Sequence, residues 1–220
     1  MRVLQLLPEL KFGGVERGTV DLSEHLTKLG HQSAVVSAGG GLTEQLSNHG
    51  AKHFSLPIAK KNFLAIKQYK NLRDIYREFK PDIIHVRSRF PAWINVLALK
   101  GLSSSKPIVI STFHGLYSKP FYSKSMSYAN DIIAISKTVQ EYVFKNYDVD
   151  HSRVHLIYRG CDIDEFNTSP PSEAWSNSWY KEFPQTSDKI LLTLPGRITG
   201  WKGIEDFLKL LSQLDQAKYH

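Results

Sequence analysis

The feature that most constrains the fold is a short apolar segment followed by paired glycines and an amphipathic helix. Val3–Leu7 is too short for a helix and suits a strand buried on both faces of a parallel sheet. Gly13-Gly14 follows in a loop, and from residue 15 to residue 29 apolar side chains recur at helical spacing. Adjacent glycines let the backbone approach a ligand closely, and a helix N-terminus offers unpaired N–H groups, so this unit suits a phosphate. A simple tight turn is the alternative interpretation.

Strands alternate with helices along most of the chain. Helices are predicted at 42–49, at 62–79, from Pro91 onward and at Lys137–Asn146. This alternation predicts an α/β fold, a doubly wound parallel Rossmann-like sheet with ligand sites at the carboxyl ends of its strands. The further predicted strands are Gln32–Ala38, Lys52–Leu56, Ile83–Val86, Ile108–Thr112, Asp131–Ile135 and Val154–Ile157.

The character of the sequence changes near residue 167. Asn167–Ser172 is typical of a linker, and it precedes an aromatic helical stretch, a strand at Ile190–Leu194 and a helix at Ile204–Leu214. We therefore predict one domain over residues 1–167, a linker and helix over 168–188, and a strand–loop–helix unit over 189–220. One such unit cannot complete a sheet, so we expect a truncated start of a second Rossmann-like domain.

Charge and cysteine content restrict the partners and the location. The formal net charge of +7 favours an anionic partner such as a nucleotide or a phospholipid surface. Nucleic acid is not expected, because no recognisable nucleic-acid-binding module is present. Cys161 is the only cysteine, which excludes an intrachain disulfide and a cysteine metal cluster. The chain starts without the apolar stretch of a signal peptide, so we expect a cytoplasmic protein, with the inner face of the membrane as an alternative location.

Five motifs occur in order along the chain. They are Gly13-Gly14-Val15-Glu16, Asp82–Val86, Thr112–Gly115, Ala134–Ser136 with Arg159–Phe166, and Gly196-Arg197 with Lys202-Gly203. Together they resemble the N-terminal half of a family-4 retaining glycosyltransferase with the GT-B fold. The resemblance covers essentially all 220 residues and includes the opening of the second, nucleotide-sugar-binding domain. It implies transfer of a sugar from a nucleotide-diphosphate sugar to a lipid- or saccharide-type acceptor, such as a cell-envelope polysaccharide or lipopolysaccharide.

The resemblance also implies roles in binding the donor. His114 is the implied catalytic residue, beside the reacting sugar carbon. Gly13 and Gly14 are implied to approach the donor diphosphate through their backbone, and Arg197 and Lys202 to neutralise it by charge. Because two cations then do what a divalent metal does elsewhere, no metal and no other cofactor is expected. Each of these side chains has an ordinary alternative as a solvated loop residue.

Other residues are candidates for contacts with the acceptor or the sugar. Glu16 is one, although a first-turn carboxylate also complements the helix dipole. Arg87 and Arg89 follow a predicted strand and are candidates for facing an anionic acceptor. Arg159 stands where the family commonly has asparagine. Asp162-Ile163-Asp164 matches a metal motif of another glycosyltransferase fold, but its position fits a helix cap instead.

The basic segment Lys60–Lys80 is a candidate for binding a membrane surface. It carries seven lysines and arginines against two acidic residues, with apolar residues at helical spacing. Attraction to anionic headgroups contributes about 1 kcal/mol per basic residue. The alternative is a basic helix that is merely solvated on its outer face.

Two functions of other classes remain open. A nicotinamide-dependent oxidoreductase is disfavoured, since the glycines are adjacent and strand two ends in Ser37-Ala38-Gly39 rather than in an acidic residue. A non-catalytic subunit that binds a nucleotide sugar or a partner chain remains an alternative. A separate chain that carries the rest of the second domain is a candidate partner. We expect the 220-residue chain alone to bind nucleotide sugars weakly and to transfer none.

Overall fold

The fold is organised around a seven-stranded sheet in which every pair of neighbours is parallel. The computed structural model describes residues 1–59, 62–102, 106–117, 120–164, 166, 169–196 and 198–220. The strand order is β3-β2-β1-β4-β5-β6-β7, so the order reverses between β1 and β4. The strands are β1 (Arg2–Leu6), β2 (Gln32–Ser37), β3 (Lys52–Ser55), β4 (Ile83–Val86), β5 (Ile108–Phe113), β6 (Asp131–Ala134) and β7 (Val154–Leu156).

Helices connect the strands. They are α1 (Gly14–Lys28), α2 (Thr43–Asn48), α3 (Phe63–Lys67), α4 (Tyr69–Phe79), α5 (Arg89–Leu99), α6 (Pro120–Ser123), α7 (Lys137–Asn146), α8 (Glu173–Glu182) and α9 (Ile204–Ser212). In the described part of the chain, no helix has both the length and the apolar character that crossing a bilayer requires.

Hydrophobic clusters cover both faces of the sheet. Ala34 and Val36 belong to a large cluster that also contains residues of α4, α5 and α7. Val35, between them, belongs to a smaller cluster with Val20 of α1 and Leu46 of α2. Because alternate residues of a strand point to opposite faces, the two clusters lie on opposite sides of the sheet. The predicted α/β class and doubly wound parallel sheet are confirmed.

The helix predicted over residues 62–79 is divided at Gln68, which corrects the sequence interpretation. Asn62 caps the first part as expected, accepting a hydrogen bond from the Ala65 N–H at 2.8 Å. The Gln68 N–H then donates to the Ala65 carbonyl, a tighter i→i−3 bond that ends α3 before α4 begins. Lys60 and Lys61, at the start of the predicted basic segment, lie outside the described residues.

Helix α5 also differs from its prediction. It begins at Arg89 rather than at Pro91, because Ser88 has the extended backbone of an N-cap residue and its carbonyl accepts from the Ala92 N–H. Proline is tolerated within this first turn, since an N–H there has no partner inside the helix.

The described residues divide into two compact units, Met1–Gly160 and Cys161–His220. The first unit holds the whole seven-stranded sheet. The second contains α8, α9 and short turns. The predicted domain boundary after residue 167 remains a prediction, and residues 165, 167 and 168 lie outside the description.

The strand predicted at Ile190–Leu194 is wrong. Ile190 makes one isolated parallel bridge with Tyr219, supported by backbone hydrogen bonds between residues 190–192 and 218–220. Among the described residues of the second unit, no longer strand lies beside it to extend the pairing, and an isolated pair of strands is marginal. Several apolar side chains of this unit are consequently exposed, including Leu208 at 59%.

Candidate active site at the carboxyl edge of the sheet

The loops that follow β1, β4, β5 and β7 lie on one edge of the first unit, because parallel strands end on the same side of their sheet. Between β1 and β4 the strand order reverses, and such a switch point forms a crevice in doubly wound folds. Gly13 and Gly14 follow β1, Arg87 follows β4, His114 follows β5 and Arg159 follows β7. The sheet therefore places the first three of these positions at the carboxyl end of its centre. Arg159 follows the edge strand β7 and reaches the same place through its hydrogen bond to the Gly14 carbonyl.

The paired glycines lead into helix α1. Gly13 is the N-cap residue in extended backbone, with no side chain to bond the first N–H groups. The carboxylate of Glu16 folds back over it, since a Cβ on Gly13 would overlap Glu16 Oε2. A carboxylate here stabilises the positive end of the helix dipole. This position agrees with the ordinary interpretation of Glu16 as an acidic residue in the first turn of α1.

Arg159 lies against the start of the same helix. One of its guanidinium nitrogens donates to the Gly14 carbonyl. A Cβ on Gly14 would lie 2.9 Å from Arg159 Nη1, and one on Gly18 would lie 2.7 Å from Arg159 Nη2. The two glycines thus leave room for this guanidinium beside the helix backbone.

Arg87 is buried below this surface, with 7% of its area exposed. Its Nη1 donates to Gln5 Oε1 at 3.1 Å, and Gln5 in turn donates to the Thr19 carbonyl and to Ser23 Oγ. These bonds explain a polar glutamine in the buried strand β1. Burial, followed by the charge of Arg159, lowers the pKa of Arg87 to about 10. The guanidinium is therefore still charged at neutral pH.

His114 is held at the end of β5 with both ring nitrogens buried and without a hydrogen-bond partner among the described residues. Burial, then the charges of Arg87 and Arg159, lowers its pKa to about 3. The imidazole is therefore neutral at physiological pH. It presents one N–H donor and one acceptor nitrogen, which suits a contact with a sugar hydroxyl better than stabilisation of an anion by charge.

A second buried histidine supports this edge. The ring Nε2 of His85 lies 2.7 Å from Thr112 Oγ1, across the β4–β5 pair. Burial holds the pKa of His85 well below its usual value, with smaller contributions from Arg87 and His114. Because these two groups influence its pKa, His85 belongs to the same electrostatic cluster as both.

Arg89 has different surroundings from Arg87, although both were predicted as acceptor contacts. Its guanidinium carbon lies 4.7 Å from the centre of the Tyr117 ring and 5.2 Å from that of Tyr122. The Tyr117 hydroxyl accepts a hydrogen bond from the His114 N–H at 3.4 Å. Arg89 thus borders the His114 loop through Tyr117, and its role remains a prediction.

The predicted donor-binding cations belong to the other unit. Arg197 lies outside the described residues. Lys202 ends a short 3₁₀ turn, Gly200–Lys202, in the second unit. In the part of the chain that the structure describes, no group of three or more histidine, cysteine, aspartate or glutamate side chains could hold a metal ion. Asp162 Oδ1 accepts from the Asp164 N–H at 2.9 Å, a bond that stabilises a turn. The short helix that Asp162 was expected to cap is not assigned among the described residues of this segment.

An apolar cavity opens at the same edge of the sheet in the first unit. It has a volume of about 570 Å³ and lies at the carboxyl ends of β2 and β3, beside α3. Leu64, which is 68% exposed, lines it together with Lys67. The other lining residues are Ala38, Pro57, Ala59, Asn62, Ala65 and Gln68.

Sequence reasoning did not assign a site role to Arg159, Gln5 or His85. Arg159 was noted only as a departure from the family pattern, although its place two residues after a predicted strand end was a usable signal. Gln5 and His85 interrupt otherwise apolar strands, and buried polar residues at such positions need partners.

Comparison with known proteins identifies the family. The model of Glycosyltransferase Family 4 matches residues 12–165. This match covers more than half of the chain and includes the glycine loop, Arg87, His114 and Arg159. The chain therefore belongs to Glycosyltransferase Family 4, and the resemblance seen in the sequence is confirmed.

Individual relatives agree with this assignment. An uncharacterised glycosyltransferase of Methanocaldococcus jannaschii, MJ1607, is 24% identical over 219 residues, which cover 92% of this chain and 56% of the relative. A glycosyltransferase from Rickettsia africae is 30% identical with a TM-score of 0.80, covering 97% of this chain and 57% of that one. Anabaena HepE in complex with UDP-glucose shares the fold at 17% identity and a TM-score of 0.76, with 98% and 58% covered. The chain thus spans a little over half the length of these relatives.

Proposed function

We propose that this chain takes part in sugar transfer from a nucleotide-diphosphate sugar to a lipid- or saccharide-type acceptor, with the acceptor bound on the first unit. The observation that carries the proposal is the family match over residues 12–165, which includes the loops at the carboxyl edge of the sheet. The HepE complex holds UDP-glucose, which supports a nucleotide sugar as donor.

In this proposal His114 contacts the transferred sugar as a neutral imidazole. Its buried ring nitrogens, which have no partner among the described residues, are available to a hydroxyl group. Gly13 and Gly14 bring the N-terminus of α1 towards the donor diphosphate, while Arg197 and Lys202 neutralise the leaving group. The two cations would make transfer independent of a divalent metal, and the family resemblance implies that transfer is retaining.

The apolar cavity favours a lipid-type acceptor over a free sugar. Its lining is mostly alanine, proline and leucine, and it opens on the same edge of the sheet as His114. A hydrocarbon chain bound there would bury apolar surface at roughly 25 cal/mol per Å². The neighbouring basic helix α4 supports docking to an anionic membrane, where cell-envelope polysaccharide or lipopolysaccharide is assembled.

The test is a transfer assay with the longest form of the protein that its gene encodes. UDP- and GDP-sugars are supplied with lipid-linked and free saccharide acceptors, with and without EDTA. We expect donor-dependent transfer to a lipid-linked acceptor that EDTA does not reduce, with retained anomeric configuration in the product. Nucleotide-sugar binding without transfer to any acceptor would favour the non-catalytic subunit, and loss of transfer in EDTA would reject the metal-independent mechanism.

A further inference from the structure

The Arg87 guanidinium is an unusual buried group, because the protein satisfies it only in part. Nη1 has Gln5 as its acceptor, whereas Nε is buried and has no partner among the described residues. Buried charged donors are normally paired, and an unpaired one is a common mark of a binding site. Arg87 follows β4 at the switch point of the strand order, so this unpaired donor lies at the edge of the sheet where a crevice is expected and is shielded from bulk water.

A second guanidinium converges on the same place. A Cβ on Gly18 would lie 3.3 Å from Arg87 Nη2 and 2.7 Å from Arg159 Nη2, so these two nitrogens are at most 6.0 Å apart. Asp21 and Glu16 are close enough to raise the pKa of Arg87. However, Asp21 pairs with Arg17 at 2.8 Å, and the Glu16 carboxylate lies over Gly13. The described part of the chain shows no ion pair between either carboxylate and either arginine.

His114 and helix α1 border this pair. His114 follows β5, which neighbours β4 in the sheet, and both arginines lower its pKa. Its neutral imidazole suits a hydroxyl group rather than an anion. The N-terminus of α1 already has the Glu16 carboxylate over Gly13. The two guanidinium groups are therefore the charged donors at this place, and such a pair suits an oxyanion.

We propose that Arg87 and Arg159 form an oxyanion pocket that binds a carboxylate or phosphate group of the acceptor. This inference rests on the proposed function and assigns an anionic acceptor to it. The pocket is assigned to the acceptor rather than to the donor because Arg87 and Arg159 belong to the first unit, where the proposed function has the acceptor bind. The cations proposed for the donor diphosphate belong to the second unit. Arg159 fixes the anion from the open side and Arg87 from the buried side.

The test is a titration of the chain with inorganic phosphate, followed by ¹H–¹⁵N spectra of the arginine Nε–H groups at constant ionic strength. Sodium chloride is the reference salt, and Arg87→Lys assigns the Arg87 signal. We expect a saturable shift of the Arg87 Nε–H signal that chloride does not produce. Arg159→Gln should weaken phosphate binding by about tenfold or more, since it removes one of two guanidinium partners.

Arg2→Gln is the matched control, because Arg2 lies at the opposite end of β1 and pairs with Asp82 there. It should bind phosphate as the unmodified chain does. Sodium acetate is titrated in the same way. Tighter binding of acetate would identify the acceptor group as a carboxylate, and tighter binding of phosphate would identify it as a phosphate. Equal small shifts of all arginines, or unchanged binding in Arg159→Gln, would overturn the pocket.

Competition with UDP-glucose separates the two possible sources of the anion. Phosphate should bind equally well in the presence of excess UDP-glucose, whereas displacement would assign the pocket to the donor and overturn the acceptor assignment. None of these spectra requires turnover. Failure to bind either oxyanion therefore rejects the pocket alone, and failure of sugar transfer with intact oxyanion binding rejects the proposed function alone.

Discussion

The unusual protonation of His114 has a direct consequence for stability in acid. Its pKa is lowered to about 3 in the folded protein, mainly by burial and then by Arg87 and Arg159. In the unfolded chain a histidine titrates near about 6.5. Between these values the unfolded chain binds a proton that the folded protein does not, so acid favours unfolding. Above the unfolded value the imidazole is neutral in both states and contributes no pH dependence.

The size of the effect follows from proton linkage. Between pH 7.5 and pH 5.0 a single histidine with these two pKa values lowers the free energy of unfolding by at most about 2 kcal/mol. His114→Gln removes this contribution while keeping a polar side chain of similar reach. His85 has a lowered pKa of the same sign and is present in both proteins, so the difference between them reports mainly His114. Replacing His114 also removes its small contribution to the pKa of His85, for which burial is the main cause.

The measurement is urea unfolding followed by circular dichroism at pH 7.5 and pH 5.0. We expect the loss of stability on acidification to be smaller in His114→Gln by about 1–2 kcal/mol. His220→Gln, which changes an exposed histidine, is the control and should behave as the unmodified chain. An identical loss in His114→Gln and the unmodified chain would refute the conclusion that His114 is buried and neutral.

Three other predictions concern the first unit. The chain should bind vesicles containing phosphatidylglycerol in low salt and detach from them in high salt. Combining Lys67→Gln with Lys70→Gln should weaken binding in a flotation assay by about fivefold per residue. The control Lys145→Gln on α7 should leave binding unchanged. Equal binding to neutral vesicles, or none, would mean that the basic helix is only solvated. Gln5→Leu should lower the free energy of unfolding by about 2–3 kcal/mol in urea titrations, because it removes the acceptor of a buried guanidinium; a neutral effect would contradict this network. Asn62→Ala should cost about 1 kcal/mol through loss of the α3 cap, and an unchanged urea midpoint would reject that role.

Much of the sheet was predictable, because parallel strands buried on both faces leave short apolar runs between strong boundary residues. Ile83–Val86 and Lys137–Asn146 have the predicted bounds, the first after Pro81-Asp82 and the second after the capping Ser136. Packing decided the places that sequence reasoning missed. Helix 62–79 is divided at Gln68 although its apolar spacing is continuous, because periodicity does not report a local i→i−3 bond. Ile190–Leu194 has strand-forming composition but no sheet beside it among the described residues.

The candidate site was predictable by position more than by function. Glycine after a strand and histidine after a strand indicate a ligand edge in any parallel α/β fold, and His114 lies at that edge. The sequence could not distinguish Arg87 from Arg89, which are two residues apart. Arg87 lies in a buried hydrogen-bond network, whereas Arg89 lies beside two tyrosine rings. Arg73 was counted among the basic residues that face a membrane, but it donates to the carbonyls of Leu97 and Ala98 at the end of α5. Such long-range partners do not appear in sequence spacing.

Turnover of His114→Ala is the sharpest test of whether the proposed sugar transfer takes place at the carboxyl edge of the first unit. The variant is compared with the unmodified protein in the longest form that the gene encodes, with His25→Ala on the exposed surface of α1 as the control. We expect His114→Ala to lower kcat by more than about tenfold while the circular dichroism spectrum is unchanged, and His25→Ala to have no effect. Near-normal turnover of folded His114→Ala would remove His114 from the active site.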